Sequence, residues 1–94
     1  MPPLDPLVLR LTVPAEGVLR VVAAELAARV AEYVGEKPPD PAVVSAALES
    51  VAARVAPNGV DAEIQFDFRD ADGELLIEAR CGSRSSEVRC PLPA

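Results

Sequence analysis

The chain has no histidine and no tryptophan, a single lysine (Lys37), and three aromatic residues, Tyr33, Phe66 and Phe68. The missing histidine removes the commonest general base, the Ser-His-Asp and Cys-His arrangements, and the commonest metal ligand together. Two cysteines without a histidine cannot complete a structural zinc site within one chain. So few aromatics leave little to stack a base, a sugar or a flavin ring. The glycines Gly17, Gly35, Gly59, Gly73 and Gly82 stand apart, so no glycine-rich loop exists to cradle a phosphate. A net charge of −6 with one lysine argues against nucleic acid, whose backbone is bound by clustered Lys and Arg. No segment approaches the roughly 20 apolar residues of a membrane span. The start, Met1-Pro2-Pro3-Leu4-Asp5-Pro6, lacks the positive-then-apolar order of a signal peptide. The expectations are therefore a cytoplasmic protein with no cofactor, no metal, no nucleic-acid partner and no membrane contact.

What the sequence does hold is aliphatic. Half of its 94 residues are hydrophobic, mostly Ala, Val and Leu, enough for one core. A flexible proline-rich arm is expected at residues 1–6 and a single domain at 7–94. Leu7, Leu9, Leu11 and Val13 alternate with Val8, Arg10 and Thr12, the mark of a half-buried strand. A helix is expected from Pro14 to a left-handed cap at Gly35, with Leu19, Val22, Ala23, Leu26, Val30 and Tyr33 on its inward stripe. Ala24, Ala27, Ala28 and Ala31 form a strip of small residues on which another helix can lie close. After the linker Glu36-Lys37-Pro38-Pro39, Asp40-Pro41 pairs an N-cap acid with a first-turn proline. Val44, Leu48, Val51 and Val55 continue as one apolar stripe, and Pro57-Asn58-Gly59 stops that helix.

From Val60 to Arg69 the apolar members are Val60, Ala62, Ile64, Phe66 and Phe68, with polar residues between them. A tight turn at Asp70-Ala71-Asp72-Gly73 leads to a strand with Leu75, Ile77, Ala79 and Cys81 inward. Setting Arg69 opposite Glu74 places Phe66 against Ile77, Ile64 against Ala79 and Glu63 against Arg80, so that opposite charges meet. A last strand is expected over Ser86–Leu92. The predicted fold class is α+β: a two-layer sandwich of order strand-helix-helix-strand-strand-strand, with two helices on one face of a mainly antiparallel sheet.

Candidate chemistry is sparse. Asp70, Asp72, Gly73 and Glu74 have part of a calcium-loop spacing, but Phe68 and Ala79 fall where the first and last ligands belong, which favours an Asp-Gly hairpin. The outward carboxylates Asp61, Glu63, Asp67, Glu74 and Glu78 read as a solvated face with ordinary pKa values. Cys81 and Cys90 share inward parity and could meet across neighbouring strands; without a secretory signal they read as reduced, buried thiols. Val8 and Leu76 are outward apolar residues of the ordinary scattered kind.

With these elements in place, the segments LRLTVPAEGVLRVVAAELAARV, AALESVAARVAP and ELLIEARCGS resemble the N-terminal half of the anti-sigma-factor kinase type of ATP-binding domain, relatives of the histidine-kinase and gyrase ATPases, over about residues 7–83. The resemblance implies a strand, two helices and a strand hairpin in this order. In that family the second helix carries Glu and then Asn four residues on for magnesium. Here Glu49 matches the acid, while Ala53 stands at the Asn position and Pro57 at the usual His position. The strand that ends there in an adenine-contacting Asp ends here at Cys81, with Ser83 at the following glycine. The resemblance therefore implies a regulator without ATP binding, whose partner is a sigma factor or its antagonist.

No catalytic residue set is expected. The functional expectation is a non-catalytic protein–protein interaction or adaptor module in a small regulatory or assembly role. Its partner is another protein chain, with a hetero-complex preferred and a homodimer possible. The contact residues would be Arg10, Glu63, Asp67, Leu76, Glu78 and Arg80 on the exposed sheet face. The alternatives are the degenerate anti-sigma-like regulator and a small enzyme whose acidic site forms only between subunits.

Overall fold

Two helices and four strands follow one another as β1 (Leu7–Pro14), α1 (Val18–Val34), α2 (Pro41–Val55), β2 (Glu63–Asp70), β3 (Glu74–Cys81) and β4 (Arg84–Pro91). The computed structural model describes residues 6–15, 18–35, 37, 39–56 and 63–93, with residues 18–20 described by backbone alone. The strands form one antiparallel sheet in the order β1-β2-β3-β4. Both helices lie on the same face, α1 over β1 and α2 over β3 and β4, packed side by side. This is the α+β sandwich expected from the apolar periodicities.

Helix α2 forms where its signals lie. The Asp40 carboxylate accepts from the Ala42 N–H at 2.9 Å, Pro41 occupies the first turn, and Val44, Leu48, Val51 and Val55 are buried on the sheet. The Pro57-Asn58-Gly59 stop and the expected strand residues Val60 to Ala62 lie outside the described residues. So does the proline-rich arm except Pro6, whose carbonyl accepts from the Asp70 N–H at 3.0 Å.

Helix α1 departs from expectation in three ways. Pro14 belongs to β1, opposite Glu63, and the described helix runs Val18–Val34, with residues 16 and 17 outside the described residues. Gly35 closes it without a positive φ; its N–H reaches the Ala31 carbonyl at 2.9 Å, and a β-carbon there would lie 3.4 Å from Leu92. Ala23 and Val30 of the expected stripe are buried and are joined by Ala27 and Ala31, while Val22 and Tyr33 are exposed and the Leu19 side chain lies outside the described residues. At 100° per residue the inward face is turned by about 75° from the bulkier stripe. The small side chains let α1 sit close to both β1 and α2 at once.

The central hairpin keeps the expected faces with different partners. Phe66 lies opposite Ala79, Phe68 opposite Ile77 and Asp70 opposite Leu75, a slide of two residues from the expected pairing. The turn is two residues long: Asp72 (φ 53°) and Gly73 (φ 90°) are both left-handed, and the Ala71 N–H donates to the Glu74 carbonyl at 3.0 Å. Positive φ at both central positions gives the turn whose twist matches the flanking strands, which is why Asp-Gly selects this loop. A two-residue slide preserves parity, so Ile64, Phe66, Phe68, Leu75, Ile77 and Ala79 all remain fully buried beneath the helices. The Phe66 and Phe68 rings lie 6.4 Å apart near the middle of that core.

A register shift between Leu7 and Leu9 corrects the first strand as well. Leu7 pairs with Arg69 on the outer face and is 43% exposed, while Val8 packs against the core. In β4 the pairing is regular over all eight residues from Arg84 to Pro91.

Candidate functional site: the uncovered sheet face

With both helices on one side, the other side of the sheet carries no further layer among the described residues. Strand parity and register arrange it in rows across the four strands: Leu7-Arg69-Leu76-Arg89, then Arg10-Asp67-Glu78-Glu87, then Thr12-Gln65-Arg80-Ser85. Five of the six contact residues expected from sequence, namely Arg10, Asp67, Leu76, Glu78 and Arg80, fall in this block. Glu63 stands apart at the end of β2, exposed and opposite Pro14.

At the centre is Asp67, with a side chain only 2% accessible. Arg10 approaches it as a fork, Nε donating to Oδ1 at 2.9 Å and Nη2 to Oδ2 at 3.0 Å. Gln65 Nε2 donates to Oδ1 at 3.4 Å, and Arg69 Nη2 lies 3.9 Å from Oδ2. Arg69 in turn donates from Nε to Glu78 Oε1 at 2.6 Å. The result is a continuous array, Arg10-Asp67-Arg69-Glu78, spanning three strands. Arg69 is the member missed in the sequence-based contact set. Its signal was its place two residues after Asp67 on the same face of one strand.

The expectation that Asp67 is solvated with an ordinary pKa is therefore corrected. The Arg10 hydrogen bonds hold its carboxyl below the usual carboxylate range, with the nearby charges of Arg10, Arg69 and Arg80 acting in the same direction and desolvation opposing them. Arg10 is held above its own ordinary value by the same bonds. The cover over Asp67 is one layer of long side chains, with Arg10 itself 52% accessible, so solvent remains close. Leu76 is corrected too: it is 5% exposed, set between Arg69 and Arg89 in its row.

The remaining sequence candidates have other surroundings. Cys90 is buried opposite Leu75 and Cys81 is half-buried opposite Arg84; both are free. Six positions of strand separate Cys81 from Leu75, about 20 Å at 3.3 Å per residue, so the two sulfurs do not meet across the hairpin. Burial pushes the Cys90 thiol up, away from reactive thiolate. Asp70 accepts the Asp72 N–H at 3.3 Å, the hydrogen bond of a turn-forming acid. On the helix layer an open cleft between α1 and α2 is lined by Val21, Ala24, Ala28, Pro41, Ala42 and Ser45. No helix among the described residues is long and apolar enough to cross a membrane.

No family model matches this sequence, and neither the curated proteins nor the solved structures include a significant match to it.

Proposed function

We propose that this chain is a non-catalytic protein–protein interaction module that presents the uncovered face of its sheet to another protein. The observation that carries the reading is the Arg10-Asp67-Arg69-Glu78 array, a connected set of long side chains on a face that no other element covers among the described residues. Holding long side chains in place before contact reduces the conformational entropy lost on binding. Forked arginine-carboxylate pairs also fix direction as well as charge, which suits recognition of one partner over others. The flanking Arg80, Glu63 and Glu87 are exposed and of both signs, as at the polar rim of a contact surface. A small regulatory or assembly role follows, with a different protein as the expected partner.

Affinity capture in the native host tests this with Arg80→Glu combined with Glu63→Arg, two exposed positions whose reversal leaves the array itself in place. A partner retained by the native chain should be lost by the variant while circular dichroism stays the same. Equal capture by both chains would make the face plain solvent surface. The likeness to anti-sigma-factor kinases supplies a second reading, since the observed element order is the one it implies. It makes the partner a sigma factor or its antagonist, with no ATP involved.

A further inference from the structure

The two edges of the sheet are unequally guarded. Strand β1 is interrupted by its register shift at Leu7/Leu9 and bracketed by Pro6 and Pro14, features that blunt an edge against pairing. Strand β4 pairs regularly with β3 along its whole length and has no proline before Pro91. The Leu92 N–H donates to the Gly73 carbonyl at 3.0 Å. Antiparallel alternation then turns the backbone groups of Cys90, Val88 and Ser86 toward β3 and those of Arg89, Glu87 and Ser85 toward the free edge. Pro91, which has no N–H to offer, also falls at an edge-facing position.

We propose that β4 pairs with β4 of a second copy of this chain about a two-fold axis at Val88, joining two sheets into one of eight strands. The side chains choose the occupant and the register. Edge-facing residues must pair with edge-facing residues, which restricts a two-fold arrangement to a few alignments. Centring on Glu87 sets Glu87 against its own copy, and centring on Arg89 sets arginine against arginine. Centring on Val88 sets Glu87 opposite Arg89 of the second copy, twice, with Ser85 opposite Pro91 and the Val88 side chains meeting on the helix side. Among the described residues Glu87 and Arg89 have no ion-pair partner, and Glu87 lies opposite Glu78 in its own sheet. An incoming arginine would relieve that like-charge contact.

The helix layer agrees with this arrangement. Pro41, Ala42 and Ser45 mark the side of α2 that faces α1. Val43, 53% exposed, and half-buried Ala47 lie on the opposite side, the one away from α1 on a helix set over β3 and β4. Two-fold pairing brings this side of α2 toward its copy, so apolar surface is covered along with the strand edge. A second copy is thus favoured by charge complementarity, free backbone groups and adjacent apolar surface together. The inference does not rest on the sheet-face reading, because the outer face stays open in the dimer.

Light scattering and sedimentation across micromolar concentrations test it on the native chain, on Glu87→Arg and on Arg89→Glu. The native 9.9 kDa chain should give a dimer of twice that mass. Each single reversal sets like charges opposite one another twice and should weaken the dimer at least tenfold. An equimolar mixture of the two variants restores opposite charges at both positions and should recover a 1:1 dimer, which unfolded variants could not do. A native chain that stays monomeric at several hundred micromolar overturns the proposal. So does a dimer indifferent to both reversals, or a mixture no tighter than its components.

Discussion

Phe66 and Asp67 are neighbours in β2 and almost equally inaccessible, at 0% and 2%, yet their replacement should have very different consequences. Phe66 is covered by the helix layer and by the Phe68 ring, elements that cannot close over the space that Phe66→Ala leaves. Such truncations cost about 3–5 kcal/mol. A domain of this length holds about 5–14 kcal/mol in all, at about 0.05–0.15 kcal/mol per residue. With a urea slope of about 1–2 kcal/mol/M, the midpoint should fall by about 1.5–5 M. Asp67 is covered by side chains that can turn to water, and Arg69 keeps Glu78 when the acid is lost. Asp67→Asn preserves shape and one acceptor oxygen, and should move the midpoint by well under half as much. Circular dichroism is the suitable probe, because the chain has no tryptophan and Tyr33 is 82% exposed. If Asp67→Asn lowers the midpoint as far as Phe66→Ala, the array is part of the core, and the account of the outer face is wrong.

Three further outcomes follow from the same structure. Asp67 has a depressed pKa, so its contribution is complete above the unfolded carboxylate value of about 3.9 and is lost as pH falls through the folded one; Asp67→Asn should reduce the loss of stability on acidification below about pH 4, and an unchanged acid profile would contradict the pairing. Cys81 and Cys90 should both be alkylated when cells are lysed into denaturant with a thiol reagent, and Cys90→Ser should cost about 1–3 kcal/mol, more than Cys81→Ser; one intact intramolecular bridge by mass spectrometry would refute the register of β3 and β4. ATP with magnesium should produce no binding heat at micromolar concentrations, since Ala53 and Cys81 occupy the positions that the kinase resemblance assigns to magnesium and adenine; saturable, magnesium-dependent binding would contradict this.

Periodicity carried the sequence reading wherever one face alone decides burial. The α2 stripe and the inward residues of β2 and β3 are legible because a strand residue has only two sides and α2 rests directly on the sheet. Parity could not distinguish registers two residues apart, since both bury the same side chains; the backbone of Asp72-Gly73 makes that choice. In α1 the pattern holds for Ala23 and Val30 and fails for Val22 and Tyr33, because hydrophobicity ranks those two above Ala27 and Ala31, whereas a helix touching both a strand and another helix favours small size. Asp67 looked solvated because its partner Arg10 is 57 residues away, across a β1–β2 pairing that no local pattern encodes. Leu76 is buried for a related reason: its row places it between Arg69 and Arg89 of neighbouring strands, pairings that no local pattern encodes.

The most direct test of the sheet-face account is site-specific photo-crosslinking in the native host. A crosslinking residue at Thr12 or Arg80 reports on the uncovered face, and one at Glu32 or Ala46 reports on the exposed side of the helix layer. The account predicts an adduct with a second, different protein from the first pair of positions and none from the second pair. Adducts confined to Glu32 or Ala46 would contradict it and place the working surface on the helices.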